Sequence, residues 1–106
     1  MYLIYQFGML NLILFLSKTN LKIFLSQTYS IELLYMLRDN NFKKKGIEDI
    51  YISLLSPKPK QASFNNFIQR LNSKGFLTQL KVYDNRKKVF ILSHNTNSLI
   101  IDSGLF

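Results

Sequence analysis

The chain has 106 residues, the length of one domain, and 47% of them are hydrophobic, which is enough to build a core and excludes a disordered protein. Fourteen Lys and Arg residues against six Asp and Glu residues give a net charge of +8, which excludes an acidic solvating protein and predicts an anionic partner, nucleic acid or a membrane surface. The absence of cysteine excludes disulfide frameworks, Cys-ligated zinc sites and thiol catalysis.

The N-terminal segment is strongly apolar. Residues 1–17 carry no charge, but Gln6, Gly8 and Asn11 interrupt the run before it reaches the roughly 20 apolar residues of a transmembrane helix. No basic region precedes the run, so we do not expect a signal peptide. We expect residues 1–20 to form a helix that is buried against a second copy of the chain. The residues expected at this dimer contact are Leu3, Ile4, Phe7, Leu10 and Leu14.

The rest of the chain, residues 21–106, is expected to form one domain that begins with a helix after Ser30. Ser26, Thr28 and Ser30 are residue types that cap helix N-termini, and Ser30 stands immediately before the periodic apolar run. The helix should end at the turn-forming residues 39–41. Its buried face is predicted from the helical spacing of Ile31, Leu34 and Tyr35, and Met36 and Leu37 widen that face.

Two further helices are predicted by apolar residues at positions i, i+3, i+4 and i+7. The first covers residues 46–55, with Glu48 and Asp49 in a first turn where they complement the helix dipole. Residues 56–60 contain two prolines and end it. The second covers residues 60–74 and is followed by Gly75, a residue typical of the position just after a helix.

A β-hairpin and a last helix complete the domain. Residues 76–83 and 88–93 are rich in Val, Ile, Leu and aromatic residues and predict two strands joined by a turn. Residues 93–95 resemble a helix start. The order predicts an α+β, mainly α fold: a winged helix-turn-helix with a three-helix core, a β-hairpin wing and an apolar N-terminal helix.

The third core helix carries the residue types that read DNA. In helix-turn-helix proteins this helix enters the major groove, where Asn and Gln bind adenine and Arg binds guanine. Residues 38–88 hold twelve basic and four acidic side chains, so the excess charge lies around this helix. We expect the helix over 60–74 to read bases and the wing, residues 81–88, to contact the backbone or minor groove. The expected DNA-binding residues are Lys58, Lys60, Gln61, Ser63, Asn65, Asn66, Gln69, Arg70, Lys81, Arg86, Lys87 and Lys88. A solvated polar helix face and an ordinary hairpin are the alternatives.

Residues 25–100 resemble the MarR-type winged-helix regulators, including the SarA-like branch of staphylococci. The matching segments are two core helices, the end of the recognition helix, an Asp-x-Arg wing signature and the returning strand, at residues 25–37, 46–50, 67–77, 84–86 and 89–93. The resemblance implies a homodimeric DNA-binding transcription regulator with Arg86 near the minor groove. Family members usually build the dimer from long C-terminal helices, so residues 1–20 are expected to serve here as the replacement interface.

Nothing in the sequence assembles a catalytic or metal site. His94 is the one histidine and has no cysteine or second histidine to share a metal, and the four glycines form no phosphate-binding loop. We therefore expect no enzymatic activity, no metal and no cofactor. A cytoplasmic location is expected, and any small-molecule or protein effector stays unidentified. The alternatives to a regulator are a winged-helix module that binds protein, such as one encoded by a phage or plasmid, and a membrane-associated basic protein.

Overall fold

The structure is a computed structural model that describes residues 2–81 and 87–104, with the backbone alone for residues 2–9. A long N-terminal helix and a 3₁₀ segment come first, then three helices, a two-stranded antiparallel sheet and a last helix. In chain order these are α1 (Tyr2–Lys18), the 3₁₀ segment (Asn20–Leu25), α2 (Ser30–Lys43), α3 (Ile47–Ser53), α4 (Gln61–Ser73), β1 (Leu77–Leu80), β2 (Val89–Leu92) and α5 (His94–Asp102). The prediction of an α+β, mainly α fold is confirmed.

Helix α2 begins at its expected cap, one residue earlier than predicted, and its buried face is shifted around the helix from the predicted one. Ser30 is the first residue of the helix and is fully buried, and its hydroxyl accepts a hydrogen bond from the Gln27 amide at 3.2 Å. The predicted cap was therefore wrong, because this hydroxyl bonds to the chain before the helix. Tyr35, predicted on the buried face, is 43% exposed, since Leu33 and Leu37 occupy that face together with Leu34.

The end of α2 also lies beyond the predicted turn at residues 39–41. Asn40 is 2% exposed, and its side-chain amide donates to the carbonyls of Lys45 at 3.0 Å and Phe90 at 2.6 Å. Because its polar atoms find partners outside the helix, Asn40 occupies the last turn instead of ending it. The C-cap of the helix is Lys44, whose φ of 52° is left-handed and whose amide donates to the Asn40 carbonyl at 2.8 Å.

Helix α4 has the predicted buried face and the predicted end. Its four core residues, all buried, are Phe64, Phe67, Ile68 and Leu71. The amide of Gly75 donates to the Asn72 carbonyl at 3.1 Å, and the amide of Phe76 donates to the Leu71 carbonyl at 3.0 Å. This is a Schellman ending, which requires the positive φ of 85° that glycine adopts without strain.

The sheet is built around β2. Strands β1 and β2 are antiparallel, with Leu77 opposite Leu92 and Leu80 opposite Val89. On its other side β2 makes one bridge, between Val89 and Gly46, the residue that precedes α3. The Ile47 amide donates to the Lys88 carbonyl at 2.8 Å and extends this bridge. The start of α3 is thereby fixed against the strand that returns from the hairpin.

The last helix starts where the sequence predicts. Ser93 precedes α5 and its hydroxyl accepts from the Thr96 amide at 3.4 Å, so it is the N-cap. His94 is the first residue of α5 and is exposed.

Helix α1 belongs partly to the core of its own chain. Leu12 and Leu16 are buried in the same cluster as Phe24, Phe64 and Phe90. The expectation of burial against a second copy alone is therefore wrong for this side of α1. A boundary between domains at residue 20 stays a prediction.

The opposite side of α1 is apolar and exposed. Leu10 is 50% exposed and Leu14 is 45% exposed. The side chains of the other expected dimer residues, Leu3, Ile4 and Phe7, lie outside the described part of the chain. Within residues 2–81 and 87–104, no helix combines the length and the apolar character that a membrane span requires.

Candidate nucleic-acid interface

A surface cavity of about 420 Å³ lies between the start of α3, the outer side of α4 and the residues that lead into β2. Helix α4 contributes four amide side chains, all exposed: Gln61, Asn65, Asn66 and Gln69. They come together because positions three to four residues apart share one side of a helix. Each amide offers both a hydrogen-bond donor and an acceptor.

The far wall of the cavity is basic. Lys87 and Lys88 are exposed and line it beside the amides of α4, while Ile68 and Phe90 supply its apolar floor. The Lys87 side chain runs over Gly46, where a Cβ would lie 3.4 Å from Lys87 Cγ. Six of the residues predicted to contact DNA therefore meet at one place.

Two carboxylates on the first turn of α3 also line the cavity. Glu48 and Asp49 are both exposed there, and Asp49 Oδ2 would lie 3.9 Å from a Cβ on Gly46. From the sequence, both carboxylates were expected only to complement the helix dipole. Their position was not predictable, because it depends on the bridge between Gly46 and Val89.

The remaining predicted DNA-binding residues lie elsewhere. Ser63 and Arg70 are exposed on the other flank of α4, about half a turn around the helix from Gln61. Lys60 is exposed at the N-cap of α4, and Lys81 is exposed just after β1. The wing signature at 84–86, Arg86 included, falls outside the described residues.

Lys58 is exposed, but its ammonium group is held against α3. It donates to the Ile52 carbonyl at 2.7 Å and lies 6.0 Å from the centre of the Tyr51 ring. The Tyr51 hydroxyl donates to the Pro59 carbonyl at 2.5 Å, and the Tyr51 ring packs against Phe64 with centroids 5.0 Å apart. The Pro-Lys-Pro segment is therefore an ordered connection that fixes how α4 leaves α3.

Glu32 braces the same connection from α2. Its carboxylate accepts hydrogen bonds from the Leu55 amide at 2.7 Å, the Ser56 amide at 3.2 Å and the Ser56 hydroxyl at 3.1 Å. No local pattern indicates this role of Glu32, since the donors lie more than twenty residues away. The site thus depends on Glu32 and Tyr51, which sequence reasoning missed.

One titratable group beside α4 has a shifted pKa. Burial raises the pKa of the Tyr29 hydroxyl above its usual value of 10.0, and the Arg70 guanidinium opposes part of that rise. The Tyr29 ring packs at 5.8 Å against both Phe64 and Phe67. Tyr29 therefore lies in the core behind α4, on the side away from the groups that face solvent.

The described residues hold no cluster of three His, Asp or Glu side chains that could bind a metal ion. No family model, no curated protein and no solved structure matched the chain.

Proposed function

We propose that this protein is a sequence-specific regulator of transcription that binds double-stranded DNA as a homodimer, through a winged helix-turn-helix similar to that of the MarR-type proteins. One observation carries the proposal. Four amide side chains of α4 and two lysines before β2 border a single cavity, and α4 contains no acidic residue. Amides suit base edges and lysines suit phosphates, so one docked duplex satisfies both sets.

The topology supports a wing. Strand β2 lies between β1 and the bridge at Gly46, so the hairpin is fixed beside the start of α3. Lys87 and Lys88, at the end of the hairpin connection, line the cavity next to α4. In this proposal the connection reaches the DNA backbone or the minor groove beside the one that α4 enters.

The two flanks of α4 suit a helix lying in the major groove. This groove is about 12 Å wide and has a phosphate strand on each side. Lys87 and Lys88 lie at one flank of α4, and Ser63 and Arg70 lie at the other. The middle of the exposed face carries Asn66, which in this proposal reads a base edge.

The exposed side of α1 supports a homodimer. Leu10 and Leu14 are large apolar side chains left in contact with solvent, and residues 1–17 of the sequence carry no charge to oppose their burial. A second copy of α1 would cover them. Two α4 helices related by a twofold axis would then read two half-sites of a palindrome, about 34–36 Å apart.

The experiment that tests the proposal separates base reading from phosphate contact. Duplexes bound by the protein are selected from a random pool, and two variants are compared on the selected site and on random DNA. We expect Asn66→Ala to lose preference at one or two positions, at about 1–3 kcal/mol per position. The double variant K87Q/K88Q should weaken binding to all duplexes alike. An unchanged base preference in Asn66→Ala would refute base reading by that residue, and failure to select any duplex would refute the regulator.

A further inference from the structure

Three consecutive lysines, at the end of α2 and in the loop that follows it, lie beside the candidate interface. Lys43 ends α2 and pairs with Asp39 at 3.0 Å, so its charge is balanced within the helix. Lys44 and Lys45 follow it, are exposed, and form no ion pair within the described residues. Two positive charges therefore remain uncompensated there.

The backbone of these two lysines is held in place. Lys44 has the left-handed φ of 52° and donates its amide to the Asn40 carbonyl at 2.8 Å. The buried Asn40 amide donates to the Lys45 carbonyl at 3.0 Å, and its oxygen accepts from the Lys45 amide. The side chains are thus presented from a fixed loop.

The same contacts join this loop to the basic wall of the cavity. Asn40 also donates to the carbonyl of Phe90, and the bridge between Gly46 and Val89 continues the pairing. The loop that carries Lys44 and Lys45 is therefore joined to β2, the strand that directly follows Lys87 and Lys88. We call these four residues, Lys44, Lys45, Lys87 and Lys88, the lysine ridge.

We propose that the lysine ridge holds the phosphates of one DNA strand alongside the cavity, so that the α2–α3 loop belongs to the DNA-binding surface. This inference rests on the proposed function and adds contacts that the sequence did not predict. The carboxylates of Glu48 and Asp49 repel phosphate from the first turn of α3, which leaves the ridge as the favourable path for the strand. Two of its four lysines, Lys87 and Lys88, line the candidate interface beside the amides of α4, and this favours DNA over a separate acidic protein as its partner.

The test measures how DNA binding depends on salt. Binding of a fluorescently labelled random-sequence duplex is followed by anisotropy for the full chain and for K44Q/K45Q. Glutamine keeps most of the side chain and removes the charge. The matched control is K18Q/K22Q, which removes the same charge at the end of α1 and in the 3₁₀ segment. Circular dichroism melts check that all three proteins are folded.

Each phosphate contact contributes about 0.9 to the slope of log K against log salt. Losing two contacts should reduce the slope by about 1.8. When salt is raised from about 50 to about 200 mM, the affinity of K44Q/K45Q should therefore fall by a factor about ten times smaller than the affinity of the parent does. K18Q/K22Q should keep the parent slope. Equal slopes for K44Q/K45Q and the parent, or equal reductions in both variants, would overturn the lysine ridge while leaving the regulator in place. A parent that binds no duplex at low salt would overturn both.

Discussion

Removing the Glu32 carboxylate should destabilise the fold far more than removing a carboxylate that serves only a helix dipole. Glu32 lies in the first turn of α2 and accepts three hydrogen bonds from Leu55 and Ser56. Glu32→Ala leaves the two backbone donors without this partner, in the connection that places α4. Glu48→Ala is the matched control, since Glu48 lies in the first turn of α3 and is exposed.

The magnitude follows from the contacts. Each hydrogen bond contributes about 0.5–1.5 kcal/mol, so three contribute about 1.5–4.5 kcal/mol. Because the bond from the Leu55 amide is exposed to solvent, we take the lower part of that range, about 2–3 kcal/mol, to which the helix dipole adds about 0.3–1 kcal/mol. Glu32→Ala should therefore lower the free energy of unfolding by about 2–4 kcal/mol, and Glu48→Ala by at most about 1 kcal/mol. Glu32→Gln keeps one acceptor oxygen and should fall between them.

Urea denaturation followed by circular dichroism measures these differences directly. In thermal melts, a loss of 2–3 kcal/mol lowers Tm by roughly 10–20 °C for a domain of this size. If Glu32→Ala were no less stable than Glu48→Ala, the carboxylate would not be bracing the α3–α4 connection, and the reasoning would be refuted.

Three further changes test other parts of the fold. Asn40→Ala removes the hydrogen bonds to the carbonyls of Lys45 and Phe90 and should lower the free energy of unfolding, measured in urea, by about 2–3 kcal/mol. A loss under about 1 kcal/mol would contradict the role of these buried hydrogen bonds. Lys44→Gly relieves the left-handed φ and should raise the unfolding free energy by roughly 0.5–1 kcal/mol, whereas a decrease would contradict that conformation. Because the pKa of Tyr29 is raised in the folded state, the unfolded chain loses the Tyr29 hydroxyl proton first as pH rises. The contribution of neutral Tyr29 to the free energy of unfolding is therefore complete below pH 10 and is lost as pH rises through the folded pKa. Tyr29→Phe should flatten that alkaline decline, and parallel stability curves for parent and variant would refute it.

The sequence predicted the parts of the fold that depend on neighbouring residues. The buried stripe of α4 repeats every three to four residues, and Gly75 marks its end, so both were visible locally. The start of α5 was visible in the same way, because Ser93 is a residue type that caps helices and its hydroxyl bonds to an amide of the first turn. The order of elements followed from these local signals.

The parts that failed depend on distant contacts. Asn40 is a turn-forming residue by type, and only the Phe90 carbonyl, fifty positions away, allows it to be buried inside a helix. Ser30 resembles a cap, but its hydroxyl donates instead to the carbonyls of Phe24, in the 3₁₀ segment, and of Gln27, just after it. Tyr35 was placed inside because the pattern of apolar residues in α2 fits more than one face.

The candidate site divides in the same way. The exposed amides of α4 were predictable from the helical repeat, and the basic character of the hairpin was visible in composition. The position of Glu48 and Asp49 on the same cavity depends on the bridge at Gly46, which no local pattern indicates. The bond from Lys58 to the Ile52 carbonyl likewise appears only once the two prolines are placed in three dimensions.

The most direct test of the account is the binding of the full chain to a labelled random-sequence DNA duplex, measured by fluorescence anisotropy across a salt series. We predict binding at low salt, with log K falling linearly as log salt rises by about 0.9 for each phosphate contacted. No binding at low salt, or binding that is insensitive to salt, would contradict the claim that this basic surface recognises DNA.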